Sequence, residues 1–398
     1  MTRKSKLLVI SWAIPPMSGG SSFISHQLAK QFQSDEIIVA GGSKSFLKKQ
    51  AIYDGIEYHY FFSELNWKGH GDRYFVVFRW LLFPIVLIRL LNLIRLQKPE
   101  AILACFPDPY YLLASKIASD YFNIPLFSYF HNTLVENRSG ISKWIAKHIQ
   151  TAVFNSSKII FTMSTGMQAY YCKAYPQWKE KFDVLPHTFS EYPQRTVSKT
   201  FNQSPPYKLV LIGTFNHSNM EATSRMIHLL SAHSETFRLD IYTSTQKAIF
   251  KYKWNLDLDS LGVHYMGYVN QEEVDAVLQN YDVCLLTHGF SGDYSDVEYQ
   301  TIFPTRMLPF LLSGIPIAAH IPPDVFLAEF IRKYDCAELL TSKNPEAILE
   351  SLKNLSNNSD RRQILISNAF KTTSYFYGKN VVGILKQKIQ QSLPFVSK

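Results

Sequence analysis

A proline-rich stretch in the second half of the sequence has the residue types of an anion-binding helix start. Residues 301–317 read Thr-Ile-Phe-Pro-Thr-Arg-Met-Leu-Pro-Phe-Leu-Leu-Ser-Gly-Ile-Pro-Ile. Pro304 and Thr305 suit the first residues of a helix, and Gly314 suits the left-handed residue that ends one. Free backbone N–H groups at a helix start attract phosphate, and Arg306 can hold a phosphate through two hydrogen bonds. The stretch therefore predicts a diphosphate site; an arginine on a helix surface without any ligand is the alternative.

A glycine pair follows the first apolar segment of the chain. Residues 13–23 read Ala-Ile-Pro-Pro-Met-Ser-Gly-Gly-Ser-Ser-Phe. Gly19 and Gly20 allow a ligand to approach the backbone closely, and Ser21 or Ser22 suits the N-cap of the helix that follows. The spacing is neither a dinucleotide GxGxxG fingerprint nor a P-loop. The alternative is a plain turn between a strand and a helix.

Other candidate ligand residues follow predicted strands, where open parallel sheets place their binding sites. Gly213 opens a turn that continues to Asn216, and the backbone N–H groups of such a turn can cradle a phosphate. His131 and Asn132 come directly after another strand, which puts an imidazole at a strand end; a structural histidine is the alternative. Ser164 follows a further strand and can equally well be a simple helix N-cap.

Apolar runs alternate with helical stretches through both halves of the sequence, which predicts parallel sheets covered by helices. The predicted strands are residues 7–11, 36–39, 101–104, 126–129, 158–162 and 183–185 in the first half, and 208–212, 239–242, 263–266, 283–286 and 317–319 in the second. We therefore expect an α/β protein with two doubly wound, Rossmann-like domains. The expected boundaries are 1–190, a linker at 191–207, 208–374, and a last helix within 375–398 that packs back on the first domain.

This order of elements resembles the GT-B glycosyltransferases, particularly the retaining glycosyltransferase family 4. The Pro-Thr-Arg-Met opening and Ser-Gly-Ile-Pro exit of the stretch at 301–317 are similar to the donor-site helix of that family. The resemblance covers nearly the whole chain. It implies two domains that face a cleft, with the acceptor on the first domain and the nucleotide sugar on the second. It also implies a hexosyltransferase of polysaccharide or glycoconjugate biosynthesis that uses a nucleotide sugar as co-substrate and no other cofactor.

The resemblance gives roles to individual residues. It places His131 beside the donor sugar as the residue that orients it, and Asn132 and Ser164 on the acceptor side. Residues 264–269 are similar to the strand beside which the nucleotide base lies, so Tyr268 is expected to stack on the base and Val269 to bind it through the backbone, with core packing as the alternative. The expected donor contacts complete the set: Gly19, Gly20, Gly213, Asn216, Thr305 and Arg306.

The sequence also departs from the family pattern. Pro309 and Thr301 stand where the family usually has two glutamates that bind the donor, and no Arg or Lys follows Gly213 to neutralise the diphosphate. We expect Glu298 to replace the missing ribose carboxylate. These departures leave open a non-catalytic GT-B subunit that binds glycan or supports a partner transferase. A nucleotide-sugar epimerase on the same fold is a further alternative.

Composition limits the other function classes. The 398 residues carry a net charge of +9, which favours anionic partners, but the basic residues are dispersed and no nucleic-acid-binding motif is present, so we expect no nucleic acid. Four separated cysteines and no visible signal peptide predict a cytoplasmic protein without disulfides. The loop acids Asp293, Asp296 and Glu298 are expected to be solvated, and no metal is expected.

An apolar stretch at residues 75–96 contains three arginines and Pro84. It is too interrupted for a membrane-spanning helix. A core helix is one interpretation. The other is a basic amphipathic surface that rests on anionic lipid, which predicts a peripheral protein at the inner face of the membrane and a lipid-linked acceptor.

Overall fold

The computed structural model describes residues 6–17, 20–43, 49–62, 80–105, 108–189 and 200–392. The chain forms two compact units, Met1–Glu191 with Tyr377–Lys398, and Tyr192–Phe376. Each unit contains one sheet with helices connecting its strands. The predicted α/β fold with two parallel-sheet domains is confirmed.

The first unit contains an eight-stranded sheet in the order β3-β4-β2-β1-β5-β6-β7-β8. Its strands are β1 Leu7–Ser11, β2 Ile37–Ser43, β3 Gln50–Tyr53, β4 Ile56–Phe62, β5 Ala101–Cys105, β6 Leu126–Phe130, β7 Ser157–Thr162 and β8 Phe182–Val184. All neighbouring strands are parallel except the edge strand β3. The central strands are apolar and buried along their whole length, as expected where helices cover both faces of a sheet.

The helices of the first unit connect these strands and end in recognisable caps. They are α1 Gly20–Ala29, α2 Phe83–Gln97, α3 Pro109–Phe122, α4 Gly140–Ser156 and α5 Thr165–Ala174, followed by the 3₁₀ helix Pro176–Lys181. Asp108 caps α3 by accepting hydrogen bonds from two backbone N–H groups, and Asn123 ends it in the left-handed conformation. The last helix of the chain, Gly378–Ser392, also belongs to this unit, and its Lys386 forms an ion pair with Glu36.

The second unit contains a six-stranded parallel sheet in the order β11-β10-β9-β12-β13-β14. Its strands are β9 Tyr207–Ile212, β10 Phe237–Tyr242, β11 His264–Gly267, β12 Val283–Thr287, β13 Ile317–His320 and β14 Glu338–Leu340. Its helices are α6 Met220–Ser231, α7 Lys247–Trp254, α8 Val274–Leu278, α9 Asp296–Thr301, α10 Met307–Leu312, α11 Phe326–Tyr334, α12 Pro345–Asn357 and α13 Ser359–Thr373, with the 3₁₀ helix Ser374–Phe376. The helix Gly378–Ser392 of the first unit is α14.

Every predicted strand overlaps an observed one, whereas three observed strands were not predicted. Strand β3 is an edge strand in which Ile52 is 72% exposed, so its residues lack the apolar run of a central strand. Strand β14 has only three residues. Strand β4 lies inside the sheet between β3 and β2, and the prediction overlooked its alternating pattern of buried residues, Ile56, Tyr58 and Tyr60.

Two predicted helix starts are wrong. Helix α1 already begins at Gly20, so Ser21 and Ser22 lie inside its first turn and do not cap it. Helix α10 begins at Met307, and Pro304 and Thr305 form a turn in front of it. The carbonyl groups of Pro304 and Thr305 accept hydrogen bonds from the N–H groups of Met307 and Leu308, which tightens this turn.

Gly41 is required by the close approach of β2 to β1. The two strands pair with Gly41 opposite Ser11, and a Cβ at Gly41 would overlap the Ser11 carbonyl oxygen. We expect Gly41→Ala to lower the free energy of unfolding by about 1–3 kcal/mol, because the neighbouring backbone would have to move. Urea denaturation of both proteins measures this difference.

Gly383→Ala is the matched control, because Gly383 lies in α14 with no atom near its missing Cβ. This change should raise the free energy of unfolding by about 0.5–1 kcal/mol, the helix preference of Ala over Gly. Equal effects of the two substitutions would refute the steric argument.

Candidate functional site

The second sheet changes its direction of winding between β9 and β12. From β9 the chain continues to β10 and β11 on one side, and from β12 to β13 and β14 on the other. In such sheets the loops at the carboxyl ends separate at this point and leave room for a ligand. Gly213 follows β9, and Thr287 ends β12. These two strand ends therefore mark the most favourable binding position in the second unit.

Arg306 lies at this switch point. One terminal nitrogen of its guanidinium donates a hydrogen bond to the Thr287 carbonyl oxygen at 2.9 Å. The other, Nη1, is buried and has no hydrogen-bond partner in the described part of the chain. Burial lowers the pKa of Arg306 to about 10, so the group stays charged at neutral pH. The site therefore contains a partly buried cation with one buried nitrogen that has no acceptor.

Gly213 lies beside this side chain. Its φ of 124° is one that residues with a side chain rarely adopt, and a Cβ built there would lie 3.7 Å from Cδ of Arg306. The structure thus brings together Gly213 and Arg306, two of the predicted donor-site residues. Thr305 precedes Arg306 in the turn before α10 and does not begin the helix. The donor group at this position is therefore the arginine side chain.

Two loops above the switch point are tied to each other by hydrogen bonds. The first, residues 213–219, is internally braced because the Asn216 side chain accepts from the N–H and the hydroxyl of Ser218, at 2.8 and 2.6 Å. The second follows β12: its Gly289 N–H donates to the Ser218 carbonyl at 2.8 Å. His217 adds an ion pair with Asp293 at 2.7 Å. Asn216 therefore shapes the loop from within.

His288 is a residue that the sequence analysis did not select. It is buried directly after β12, and its Nε2 donates to the Tyr299 carbonyl at 2.9 Å. Burial, and secondarily the charge of Arg306, lower its pKa to about 4, so it is neutral beside the cation. A histidine immediately after a buried strand is the same signal that selected His131.

The end of β11 presents an aromatic side chain to solvent. Tyr268 is 62% exposed, and Val269 beside it is partly buried. The Thr243 N–H donates to the Gly267 carbonyl at 2.7 Å, which fixes the backbone just before the tyrosine. An exposed ring on a fixed strand end is suited to stacking on a flat ligand group.

Of the acids near α9, Asp293 and Asp296 are exposed as expected, whereas Glu298 is buried, with 6% exposure. Thr301 uses its hydroxyl to donate to the Val297 carbonyl at 2.8 Å. Thr301 therefore serves the helix itself. Within the described ranges, no three His, Cys, Asp or Glu residues are grouped so that they could hold a metal ion.

In the first unit His131 is buried at the end of β6. Its Nε2 lies 3.3 Å from the hydroxyl of Ser21, which follows Gly20 in the first turn of α1. The His131 ring also packs beside Tyr129, and the ring of His187 lies 6.4 Å away. Burial first, and the nearby His187 second, hold the pKa of His131 well below its usual value. A neutral imidazole thus lies next to the start of α1.

The remaining predicted residues of the first unit have other surroundings. Ser164 caps α5, since its hydroxyl accepts from the Met167 N–H at 3.0 Å. Asn132 is partly exposed just after His131. Gly19 lies outside the described residues.

No family model matches the sequence, and no curated protein matches it. Solved structures do match in fold. Alr3699/HepE from Anabaena, solved in complex with UDP, is 15% identical with a TM-score of 0.67 and covers 97% of this chain and 100% of its own. Sucrose-phosphate synthase (tll1590) from Thermosynechococcus elongatus is 10% identical with a TM-score of 0.70, covering 98% and 99%.

The lipopolysaccharide outer core galactosyltransferase WaaB, in its apo form, is 16% identical with a TM-score of 0.62 and covers 98% of this chain and 100% of its own. At such identities the likeness shows the fold. The chain therefore has the GT-B fold of these glycosyltransferases over almost its entire length.

Proposed function

We propose that this protein is a retaining glycosyltransferase that moves a sugar from a nucleotide sugar to a hydroxyl of a glycan or lipid-linked acceptor. The observation that carries this proposal is Arg306, a partly buried arginine at the switch point of the second sheet, whose buried Nη1 has no hydrogen-bond partner in the described part of the chain. Retention of the anomeric configuration rests on the resemblance to family 4.

The energetics of Arg306 argue for a bound anion. Burying part of a charged group without a charged partner costs free energy, which a bound anion offsets. A diphosphate supplies that anion and accepts the unused hydrogen bond. A subunit that never binds a nucleotide gains nothing from the same arrangement.

The proposed chemistry is mainly electrostatic. Negative charge develops on the leaving diphosphate as its bond to the sugar breaks, and Arg306 with the backbone at Gly213 stabilises that charge. His131 orients the donor sugar without adding a positive charge near the sugar, which itself becomes cationic. Tyr268 and Val269 receive the base. Because HepE has been solved with UDP and with UDP-glucose, uridine nucleotides are the first donors to test.

A non-catalytic subunit is the second candidate function. It is favoured by Pro309 and Thr301, which offer no carboxylate to a donor, and Thr301 is occupied within its own helix. Glu298 remains the proposed substitute for the ribose carboxylate; unchanged donor affinity after Glu298→Ala would remove that role. Donor hydrolysis by the purified protein separates an enzyme from a scaffold.

The first unit offers a surface for the proposed contact with membranes. Helix α2 buries Val86, Leu90, Leu93 and Ile94 and exposes Ile85, Ile88 and Leu96, with Arg95 at the same end. In the part of the chain that the structure describes, no helix is long and apolar enough to cross a bilayer. We propose that the outer face of α2 rests on anionic lipid, where a lipid-linked acceptor would be found.

Arg306→Met should raise the dissociation constant for UDP about 10- to 100-fold, because a charge-assisted hydrogen bond to phosphate is lost. The free energy of unfolding without ligand should stay the same or increase, because methionine fills the space without a buried charge. Calorimetric titration and urea denaturation measure the two quantities.

Arg332→Met is the control, since Arg332 is an exposed arginine of the same unit. Loss of stability by Arg306→Met together with unchanged UDP binding would mean that the arginine is structural and would contradict the proposal.

His131 should stay uncharged across the working range of the enzyme, since burial holds its pKa well below 6.5. We therefore expect kcat/KM to show no inflection from His131 between about pH 8 and pH 6.

His131→Gln should lower kcat about 100-fold through misplacement of the sugar, with little change in UDP affinity. The control is the same substitution, His148→Gln, at an exposed histidine of the first unit. A step near pH 6.5 that vanishes in His131→Gln would contradict a neutral role.

The contact with lipid is tested by sedimentation with anionic vesicles at low salt. The wild-type protein should sediment with them, and the double substitution Ile85→Ser and Ile88→Ser should reduce the bound fraction severalfold, because apolar area is lost from the contact. Ile364→Ser removes an exposed isoleucine of the second unit and should have no effect. A wild-type protein that does not sediment with the vesicles would refute this part of the proposal.

A further inference from the structure

A cluster of charged and aromatic side chains lies beside the proposed diphosphate site, at the carboxyl ends of β12, β13 and β14. It consists of Glu221, Arg225, Phe290, His320 and Lys343, and we call it the Phe290 cluster. In the sheet His320 pairs with Thr287, the residue whose carbonyl holds Arg306. The cluster is therefore one strand away from Arg306.

Its hydrogen bonds fix the state of the buried histidine. Arg225 can only donate, so its bond of 2.8 Å makes Nε2 of His320 an acceptor. The Leu340 carbonyl can only accept, so Nδ1 of His320 carries the proton in the bond of 2.7 Å. Burial lowers the pKa of His320 to about 4 despite the Leu340 carbonyl, and the charges of Arg225 and Lys343 add to the lowering. His320 is thus a neutral support that aims the guanidinium of Arg225.

Both cations of the cluster approach the ring of Phe290. The guanidinium carbon of Arg225 is 5.0 Å from the ring centroid, and Nζ of Lys343 is 5.1 Å from it. Arg225 keeps part of its side chain accessible, with 20% exposure, and Lys343 is exposed. Two positive groups are therefore held around one ring within reach of solvent.

The carboxylate of Glu221 balances one of these two charges. One of its oxygens pairs with Arg225, and the other accepts from the Phe290 N–H at 3.0 Å. Lys343 has no carboxylate partner among the residues that the structure describes. The Phe290 cluster consequently retains one uncompensated positive charge next to the cation of Arg306.

We propose that the Phe290 cluster is a second anion subsite that takes the carboxylate of an acidic sugar. The inference rests on the proposed function and sharpens it, because the donor would be a nucleotide-activated uronic acid. Lys343 and the accessible side of Arg225 hold the carboxylate, and Arg306 holds the diphosphate. Neutral hexoses leave Lys343 without a carboxylate partner.

The spacing of the two sites matches such a donor. Neighbouring strands of a sheet are about 4.8 Å apart, so a group over His320 lies one such step from Thr287, and one over β14 lies two steps away. In a hexuronic acid the pyranose ring separates the anomeric oxygen, which carries the diphosphate, from the carboxylate by a comparable span. The donor can therefore place both anions at once.

A phosphate on a sugar acceptor has the same charge and could use the same subsite. We favour the donor carboxylate because the diphosphate at Arg306 tethers it one ring away, which spares it the entropy cost of binding separately. The two sources differ in one respect that can be measured. A donor carboxylate strengthens binding of the nucleotide sugar itself, whereas an acceptor phosphate binds as a separate molecule.

The experiment measures dissociation constants of UDP, UDP-glucose and UDP-glucuronate by calorimetry, for the wild type, Lys343→Met and the control Lys353→Met. Lys353 is an exposed lysine on α12 of the same unit. We expect the wild type to bind UDP-glucuronate about tenfold more tightly than UDP-glucose, since one charge-assisted hydrogen bond is gained. Lys343→Met should remove this preference without changing the affinity for UDP, and Lys353→Met should retain it.

Equal affinities for the two nucleotide sugars, with UDP still bound, would overturn the acidic donor while the proposed function stands. A preference that survives in Lys343→Met would overturn the assignment of the subsite. Glucose 6-phosphate added with UDP tests the other source, and binding that Lys343→Met abolishes would replace the donor carboxylate by an acceptor phosphate. Absence of binding by UDP and the other nucleoside diphosphates would overturn both the proposed function and the subsite.

Discussion

The charge of Arg306 is the constraint around which the second unit is arranged. A guanidinium placed at the switch point needs the backbone to accept at least one of its hydrogen bonds. The Thr287 carbonyl is that acceptor, and Gly213 lies beside the side chain in a backbone conformation that favours glycine. His288 can lie beside the cation because its own burial keeps it uncharged. Together these features leave the buried Nη1 for a ligand.

The loops around this cation are held by contacts that need small residues. A Cβ at Gly292 would collide with the Tyr299 hydroxyl, and the same hydroxyl donates to the His217 carbonyl at 3.0 Å. Glycine at position 292 thus lets the loop after β12 lie directly on the loop after β9. Below them, the hydroxyl groups of Thr223 and Thr287 are 2.7 Å apart and join α6 to the end of β12. The shape of the site is therefore set before any ligand arrives, which lowers the ordering cost of binding.

The sequence predicted the fold well because buried parallel strands leave a strong apolar signal. It also selected Gly213 and Arg306, which the structure brings together, because a glycine turn and a basic residue near a helix start have recognisable chemistry. It missed the edge strand β3, the three-residue strand β14, and β4, whose alternating pattern of buried residues was overlooked. It also placed the start of α10 two residues too early, because Pro304 and Thr305 build a turn with the same residue preferences as a helix start. The burial of Arg306 and the neutrality of His288 depend on contacts between distant segments, which local patterns do not record.

The absence of basic residues after Gly213 acquires a physical explanation from this arrangement. The segment 214–220 contains no Arg or Lys, whereas Arg306, Arg225 and Lys343 bring positive charge to the same sheet edge from three other elements. Arg225 and Lys343 lie near the ends of β13 and β14 rather than beside β9. The positive potential at this edge of the sheet therefore extends away from the glycine turn. An anion that spans several strand ends interacts with all three cations, whereas an anion confined to the glycine turn interacts only with Arg306. The distribution of charge therefore favours a ligand with separated anionic groups, as the proposed uronic acid donor has.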